Sequence, residues 1–235
     1  MTWTTHCLKH SPVGVIFDMD GVLVDSYWAH WESWQVVAAQ EGRTITEQEF
    51  AATFGRTSRE IIASWPNAHY TEEQIADLDR RKEAAFREIL SRHFTPMPGV
   101  HALFERLSEA GFRLAVGSSG PPENVALVLE RLGWADRFVA VVHGMLVHRG
   151  KPDPEVFLLA AQRAGIRPDH AVVVEDAPLG IEAAHRAGMK AIGLVSTGRT
   201  PEQLAAADLV VRHLDEITPQ QVLTLLAKTP APRPL

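Results

Sequence analysis

Val13-Gly-Val-Ile-Phe17 is a short unbroken apolar run that ends in acidic residues and Gly21, the pattern of a strand buried on both faces. From about Tyr27 to Phe94 the pattern turns helical. Runs such as Trp28–Val37 and Ile75–Phe86 follow one another with no clear strand between them. Pro96 and Pro98-Gly99 close this block. Beyond it, strand and helix patterns alternate. Phe112–Val116 predicts a strand, and Pro121-Pro122 a helix start leading an amphipathic run to Leu132. Phe138–Val142 predicts the next strand, with a helix from near Pro154. Ala171–Val174 precedes a helix stopped by Gly188, and Lys190–Val195 and Ala207–Val211 complete the set.

Alternation of this kind predicts right-handed βαβ units, and so an α/β fold with a Rossmann-like parallel sheet covered on both faces. The helical block follows the first strand, which makes it an insertion. An α/β core of residues 1–26 and 96–235 is interrupted by a helical domain of residues 27–95, hinged near residues 26 and 96. The length of 235 residues agrees, falling between one and two domains of about 150 residues. The tail Lys228–Leu235 is proline-rich and expected to be extended, and no internal repeat is visible.

Composition narrows the function classes. With 46% hydrophobic and 22% charged residues the chain has an ordinary globular profile, which excludes disorder, collagen and coiled coil. Its net charge of −6 argues against a nucleic-acid binder, because the field that gathers polyphosphate is missing. A small phosphorylated metabolite needs only a local positive site and stays open. Cys7 is the only cysteine, so neither an intramolecular disulfide nor a cysteine zinc cluster is expected. The first ten residues lack the apolar segment of a signal peptide, and no run of about 18 apolar residues exists to span a membrane. The expectation is a cytoplasmic protein, a monomer or weak homodimer, without nucleic-acid or membrane partners.

Four predicted strand ends carry reactive side chains: Asp18-Met-Asp20-Gly21, Gly117-Ser118-Ser119-Gly120, Gly150-Lys151-Pro-Asp-Pro154 (after the third strand) and Glu175-Asp176. A parallel sheet brings such ends to one rim, where ligands bind. Carboxylates bundled there repel one another unless a cation joins them, and an all-oxygen site suits Mg²⁺. A lysine and a hydroxyl beside the metal supply what a phosphoryl group requires. One aspartate is then free to act as nucleophile and a second, two residues on, as general acid and base.

Together Phe-Asp-Met-Asp-Gly-Val-Leu-Val-Asp-Ser (17–26), Val-Gly-Ser-Ser (116–119), Gly-Lys-Pro-Asp-Pro (150–154) and Val-Val-Glu-Asp-Ala-Pro-Leu-Gly-Ile-Glu-Ala-Ala (173–184) resemble the four motifs of the haloacid dehalogenase superfamily. The likeness is to the subgroup holding β-phosphoglucomutase and small-molecule phosphatases, with a helical cap where the insertion lies. It implies Asp18 as nucleophile, Asp20 as general acid/base, and Ser118 and Lys151 as the phosphate-holding pair. It also implies metal ligation by the Asp18 side chain, the Asp20 carbonyl and Asp176, with Glu175 binding the metal directly or holding its water shell. Gly21 would permit the turn after the acids.

Two departures narrow the chemistry. Haloacid dehalogenases proper lack the second aspartate, so Asp20 argues against dehalogenation. Phosphonoacetaldehyde hydrolases use a Schiff-base lysine in the cap, and the comparable stretch Phe54–Glu60 contains none. Substrate contacts are expected from His30, Arg59 and Lys82 of the cap and from Ser119, with Trp34 on the face of His30. The basic loop Val147–Gly150 is a further candidate. His143 and His148 show no metal spacing, and Trp28, Trp31 and Trp34 read as cap core. The reading is a Mg²⁺-dependent phosphatase of a small phosphorylated metabolite, a sugar or polyol phosphate. Its rivals are a β-phosphoglucomutase-type mutase and a silent binding protein on the same fold.

Overall fold

The computed structural model describes residues 12–53, 56–66 and 69–227. The amino-terminal stretch with Cys7, the proline-rich tail and Phe54-Gly55 lie outside the described residues. Six strands form one sheet: β1 Gly14–Phe17, β2 Arg113–Gly117, β3 Ala140–Val142, β4 Ala171–Glu175, β5 Lys190–Leu194 and β6 Leu209–Val211. The order is β3-β2-β1-β4-β5-β6 and every pairing is parallel, so all six carboxyl ends lie on one rim. The chain runs outward from β1 on both sides, which places the topological switch point at β1 and β4.

Apart from Arg113, Glu175 and Lys190 at strand ends, the strands are apolar because both faces are covered. Alternate residues of β1 serve opposite layers, Val15 and Phe17 one core and Ile16 the other. The first core gathers α5 (Val100–Glu109), α6 (Pro122–Leu132) and α9 (Pro219–Ala227). The second gathers α7 (Glu155–Ala164) and α8 (Pro178–Arg186), whose alanines let these helices lie close on the sheet.

Between β1 and β2 run α1 (Tyr27–Gln40), α2 (Glu47–Thr53), α3 (Ser58–Ala63) and α4 (Glu72–Arg92). They enclose a separate core of Trp34, Val37, Phe50, Ile62 and Leu78. Thr57 and Thr71 start α3 and α4 with reciprocal capping boxes to Glu60 and Gln74. The two connections into this insertion pair with each other: Asp25 N–H donates to Thr95 C=O at 2.9 Å and Met97 N–H to Leu23 C=O at 3.1 Å.

Two strands, β3 and β6, are two residues shorter than the pattern predicts. Phe138 stays outside β3 because its ring packs against Phe17, Phe104 and Trp134. Asp208 stays outside β6, its carboxylate accepting from Ala191 N–H and from the side chains of His185 and Lys190. Among the described residues no helix is long and apolar enough to cross a membrane.

Candidate active site

The backbone sets the acids before any side chain acts. Asp18 N–H continues the β1–β4 pairing by donating to Val174 C=O at 3.0 Å, so its carboxyl stands on the rim beside Glu175, the last residue of β4, and Asp176. Gly21 then turns the chain at φ +72°, where a Cβ would lie 2.1 Å from Asp176 Oδ2. Only glycine satisfies both demands. Gly180 on α8 is required for a different reason: a Cβ there would lie 1.7 Å from Glu175 Oε1.

Lys151 enters from the loop after β3. Its Nζ donates to Asp18 Oδ1 and to Glu175 Oε1, both at 2.6 Å, and lies 4.8 Å from the centre of the Phe157 ring. The other Glu175 oxygen accepts from Ala177 N–H at 2.6 Å. Both Glu175 oxygens are therefore engaged, and this residue aims the lysine. Asp176 Oδ2 accepts from Ser196 Oγ at 2.7 Å, with Arg199 Nε at 3.9 Å.

Oxygens of Asp18, Glu175 and Asp176 lie within 4.8 Å of one another, all three residues buried. Burial pushes the Asp18 carboxyl well above its ordinary range. Lys151 opposes this, but Glu175, Asp176 and Asp20 add to it. Burial and then Glu175 push Asp176 up to about 7, against Arg199, Ser196 and Lys151. Burial works against the Lys151 ammonium, yet Asp18 and Glu175 hold its pKa above the ordinary range. One ammonium among three carboxylates leaves surplus negative charge, which a hard divalent cation would neutralise.

Asp20 faces the helical insertion. Its Oδ1 accepts from Ser26 Oγ at 2.6 Å and lies 3.1 Å from His30 Nε2. His30 Nδ1 is 2.8 Å from Lys82 Nζ, a group that only donates. Nδ1 must then accept, so the proton sits on Nε2 and is given to Asp20. The imidazole is stacked on Phe86 at 4.0 Å, which fixes its plane. Burial alone would raise the Asp20 carboxyl. The His30 ring, by field and by hydrogen bond, together with Ser26 and Lys82, outweighs burial and holds it below the usual range.

A cavity of about 470 Å³ lies between rim and insertion, lined by Asp18, Asp20, Ser119, Lys151, Glu175 and Asp176 below and by His30, Trp34, Arg59 and Lys82 above. Ser118 is 1% exposed and turned back to accept from Gly120 N–H at 3.0 Å, so Ser119 and Gly120 form the wall in front of it. Arg59 is half exposed and paired with Glu72 at 2.8 Å. Lys82 is 1% exposed and held by Glu83 Oε1 at 2.8 Å as well as by His30. His148 and Val147 of the basic loop also line the cavity.

Sequence reasoning assigned no role to Ser26, Asp79, Glu83, Asn124 or Ser196. Ser26 ends the first acidic motif, and its hydroxyl there is the signal for it. Asp79 is on the cavity wall of α4, where burial raises its carboxyl. It stands three residues before Lys82, and that helical spacing was legible.

The family model for haloacid dehalogenase-like hydrolases matches residues 15–194. A phosphorylated carbohydrates phosphatase from Thermotoga maritima is 31% identical over 213 residues, 90% of this chain and 97% of the relative. A β-phosphoglucomutase from Bacillus subtilis is 32% identical over 213 residues, 87% of this chain and 91% of the relative. Among solved structures, a β-phosphoglucomutase from Clostridium difficile superposes with a TM-score of 0.82 at 24% identity, covering 92% of this chain and 97% of that one.

Proposed function

Because the chain belongs to the haloacid dehalogenase-like hydrolases, we propose that its cavity hydrolyses a small phosphorylated metabolite, a sugar or polyol phosphate, through an aspartyl-phosphate on Asp18, with Mg²⁺ as cofactor. It is a phosphohydrolase. The observation that carries the reading is the pairing on β1 of two differently wired aspartates. Asp18 is pinned by Lys151 among buried carboxylates, and Asp20, two residues on, is wired to His30.

Lys151 holds one Asp18 oxygen and leaves Oδ2 to attack phosphorus. Ser119 and Lys151 line the place where the phosphoryl oxygens would sit, with the Ser118 hydroxyl directly behind, donors placed before charge develops. Asp20 has one oxygen occupied by Ser26 and His30, which leaves Oδ2 to serve the leaving oxygen. Held below the usual range, its carboxyl is ionised near neutral pH. A bound phosphate dianion raises it toward protonation, so substrate itself prepares the acid. After the alcohol departs, the same group as carboxylate takes a proton from the water that hydrolyses the phospho-aspartate.

The donor set fits a metal. Asp18, Asp176 and the Asp20 carbonyl would hold Mg²⁺, with Glu175 acting on its water shell because Lys151 and Ala177 already take both its oxygens. Bound there, the ion would offset the charge of nucleophile and phosphoryl group as they approach.

The helical insertion serves as a cap that chooses the substrate. A mutase must receive a bisphosphate and so needs free positive charge at the far end of the cavity. Here Lys82 is buried against Glu83, Arg59 is paired with Glu72 and Asp79 adds a carboxyl, with Arg56 also on the wall. Three carboxyls among these cations suit a neutral hydroxylated leaving group more than a second phosphate. Phosphate release from sugar phosphates, polyol phosphates, phosphoglycolate and nucleotides, with Mg²⁺, tests the reading. Wild type should release phosphate, and Asp18→Asn should fall by roughly 10³-fold or more. Equal inactivity of both proteins across the panel would sink the enzyme. Conversion of β-glucose 1-phosphate to glucose 6-phosphate without free phosphate would make it a mutase.

A further inference from the structure

Asn124 lies outside the acid, lysine and cap residues named from the sequence, yet it is 1% exposed and lines the cavity. It sits in the first turn of α6, directly after the loop Ser118–Pro121. Its amide N–H donates to Glu83 Oε2 at 2.6 Å, and its amide oxygen accepts from Arg87 Nη1 at 2.9 Å. Glu83 and Arg87 are four residues apart on α4 and share one face. One core side chain is thus gripped at both ends by two side chains of the cap.

The grip continues inward. Glu83 Oε1 also accepts from Ser58 Oγ at 2.5 Å and from Lys82 Nζ at 2.8 Å. Lys82 reaches His30 at 2.8 Å, and His30 reaches Asp20 at 3.1 Å. The polar chain leaves the core at Asp20, crosses the cap through His30, Lys82 and Glu83, and returns to the core at Asn124. Ser58, Lys82, Glu83 and His30 all belong to the cap, so their mutual bonds hold wherever the cap sits. This polar network meets the core at its two ends, Asp20 and Asn124.

We propose that Asn124 registers the cap on the core, a positioning residue that acts through Glu83 and Lys82 to set His30 against Asp20. This rests on the phosphatase reading, in which Asp20 protonates the leaving oxygen. Without Asn124 the cap keeps its own network and its apolar packing but loses the two hydrogen bonds that set α4 against α6 beside the site. Asp20 then loses its fixed aim, while the Lys151–Asp18 pair, which lies wholly in the core, is untouched.

The test compares leaving groups. The value of kcat/KM covers the steps through phosphoryl transfer to Asp18, where an alkyl ester needs the proton of Asp20 and p-nitrophenyl phosphate does not. Asn124→Leu removes both hydrogen bonds at similar volume. It should lower kcat/KM for the best sugar or polyol phosphate at least ~tenfold more than for p-nitrophenyl phosphate. Glu83→Gln, of nearly unchanged shape, should show the same skew and serves if Asn124→Leu does not fold. An equal fall on both esters, or no fall, overturns the proposal. A second readout needs no turnover: the His30 Nε2–H proton resonance should exchange slowly in wild type and rapidly in either variant. An unchanged resonance overturns the registration, whereas a wild type inactive on every ester overturns the phosphatase reading instead.

Discussion

At the scale of single residues, proton and metal compete for the same oxygens. Burial raises Asp18 and brings Asp176 to about 7. An acid raised on folding stabilises the native state fully below its unfolded pKa and loses that contribution as pH rises through the folded value. The metal-free protein should therefore lose stability between about pH 4 and 7 from Asp176, with Asp18 acting in the same direction. A divalent cation requires the ionised forms and cancels the loss. The rise in Tm produced by Mg²⁺ should be larger at pH 7.5 than at pH 5.5, as differential scanning calorimetry can measure. An equal or larger rise at pH 5.5 would mean that these carboxylates do not hold the ion. Glu83 behaves oppositely. Burial opposes its charge, but Lys82, His30 and Ser58 bring it down to about 2, so its contribution is complete above the ordinary carboxylate range and is lost as pH falls toward 2. The acids and Lys151 were legible in sequence because each follows a strand, and a parallel sheet has one carboxyl rim. Glu83 and Asn124 were not, since they lie 41 residues apart and meet only once α4 packs on α6.

At the scale of elements, α8 is shaped by one side chain of the strand before it. Glu175 lies across Gly180, and its oxygens reach Lys151 and Ala177 only because no Cβ intervenes. Gly180→Ala would ordinarily favour a helix. Here overpacking should cost about 1–3 kcal/mol and displace Glu175. Lys151 would lose one of its two carboxylates, and turnover should fall by more than about tenfold. Chemical denaturation and phosphate release check the two parts, and a stabilised, fully active variant would refute the account. The strands were legible because coverage on both faces removes polar residues from them. Helix α9 was overlooked although Thr218 and Gln221 exchange capping hydrogen bonds immediately before and within its first turn. That signal was local and available. The true limits of β3 were not, since Phe138 is drawn out of the strand by aromatic partners on other elements.

At the scale of the whole molecule, the cap is distinct by sequence position but is joined to the core by packing. Its own cluster surrounds Trp34 and Leu78, yet Ala29, Phe86 and Leu90 from the same helices belong to the main core. Phe86 stands where the two meet, fully buried and stacked on His30 at 4.0 Å. Cap and core should therefore unfold together. Four of the six tryptophans, Trp28, Trp31, Trp34 and Trp65, lie in the cap, so fluorescence reports on it while far-ultraviolet circular dichroism follows the whole chain. The two thermal transitions should coincide in wild type. Phe86→Ala should remove about 3–5 kcal/mol and lower both midpoints together. It should also weaken turnover of alkyl phosphates more than its stability loss explains, because the ring that orients His30 is gone. A fluorescence transition that moves alone would show a cap that melts independently, and closure over the substrate would then be a folding event rather than a movement of one packed body on another.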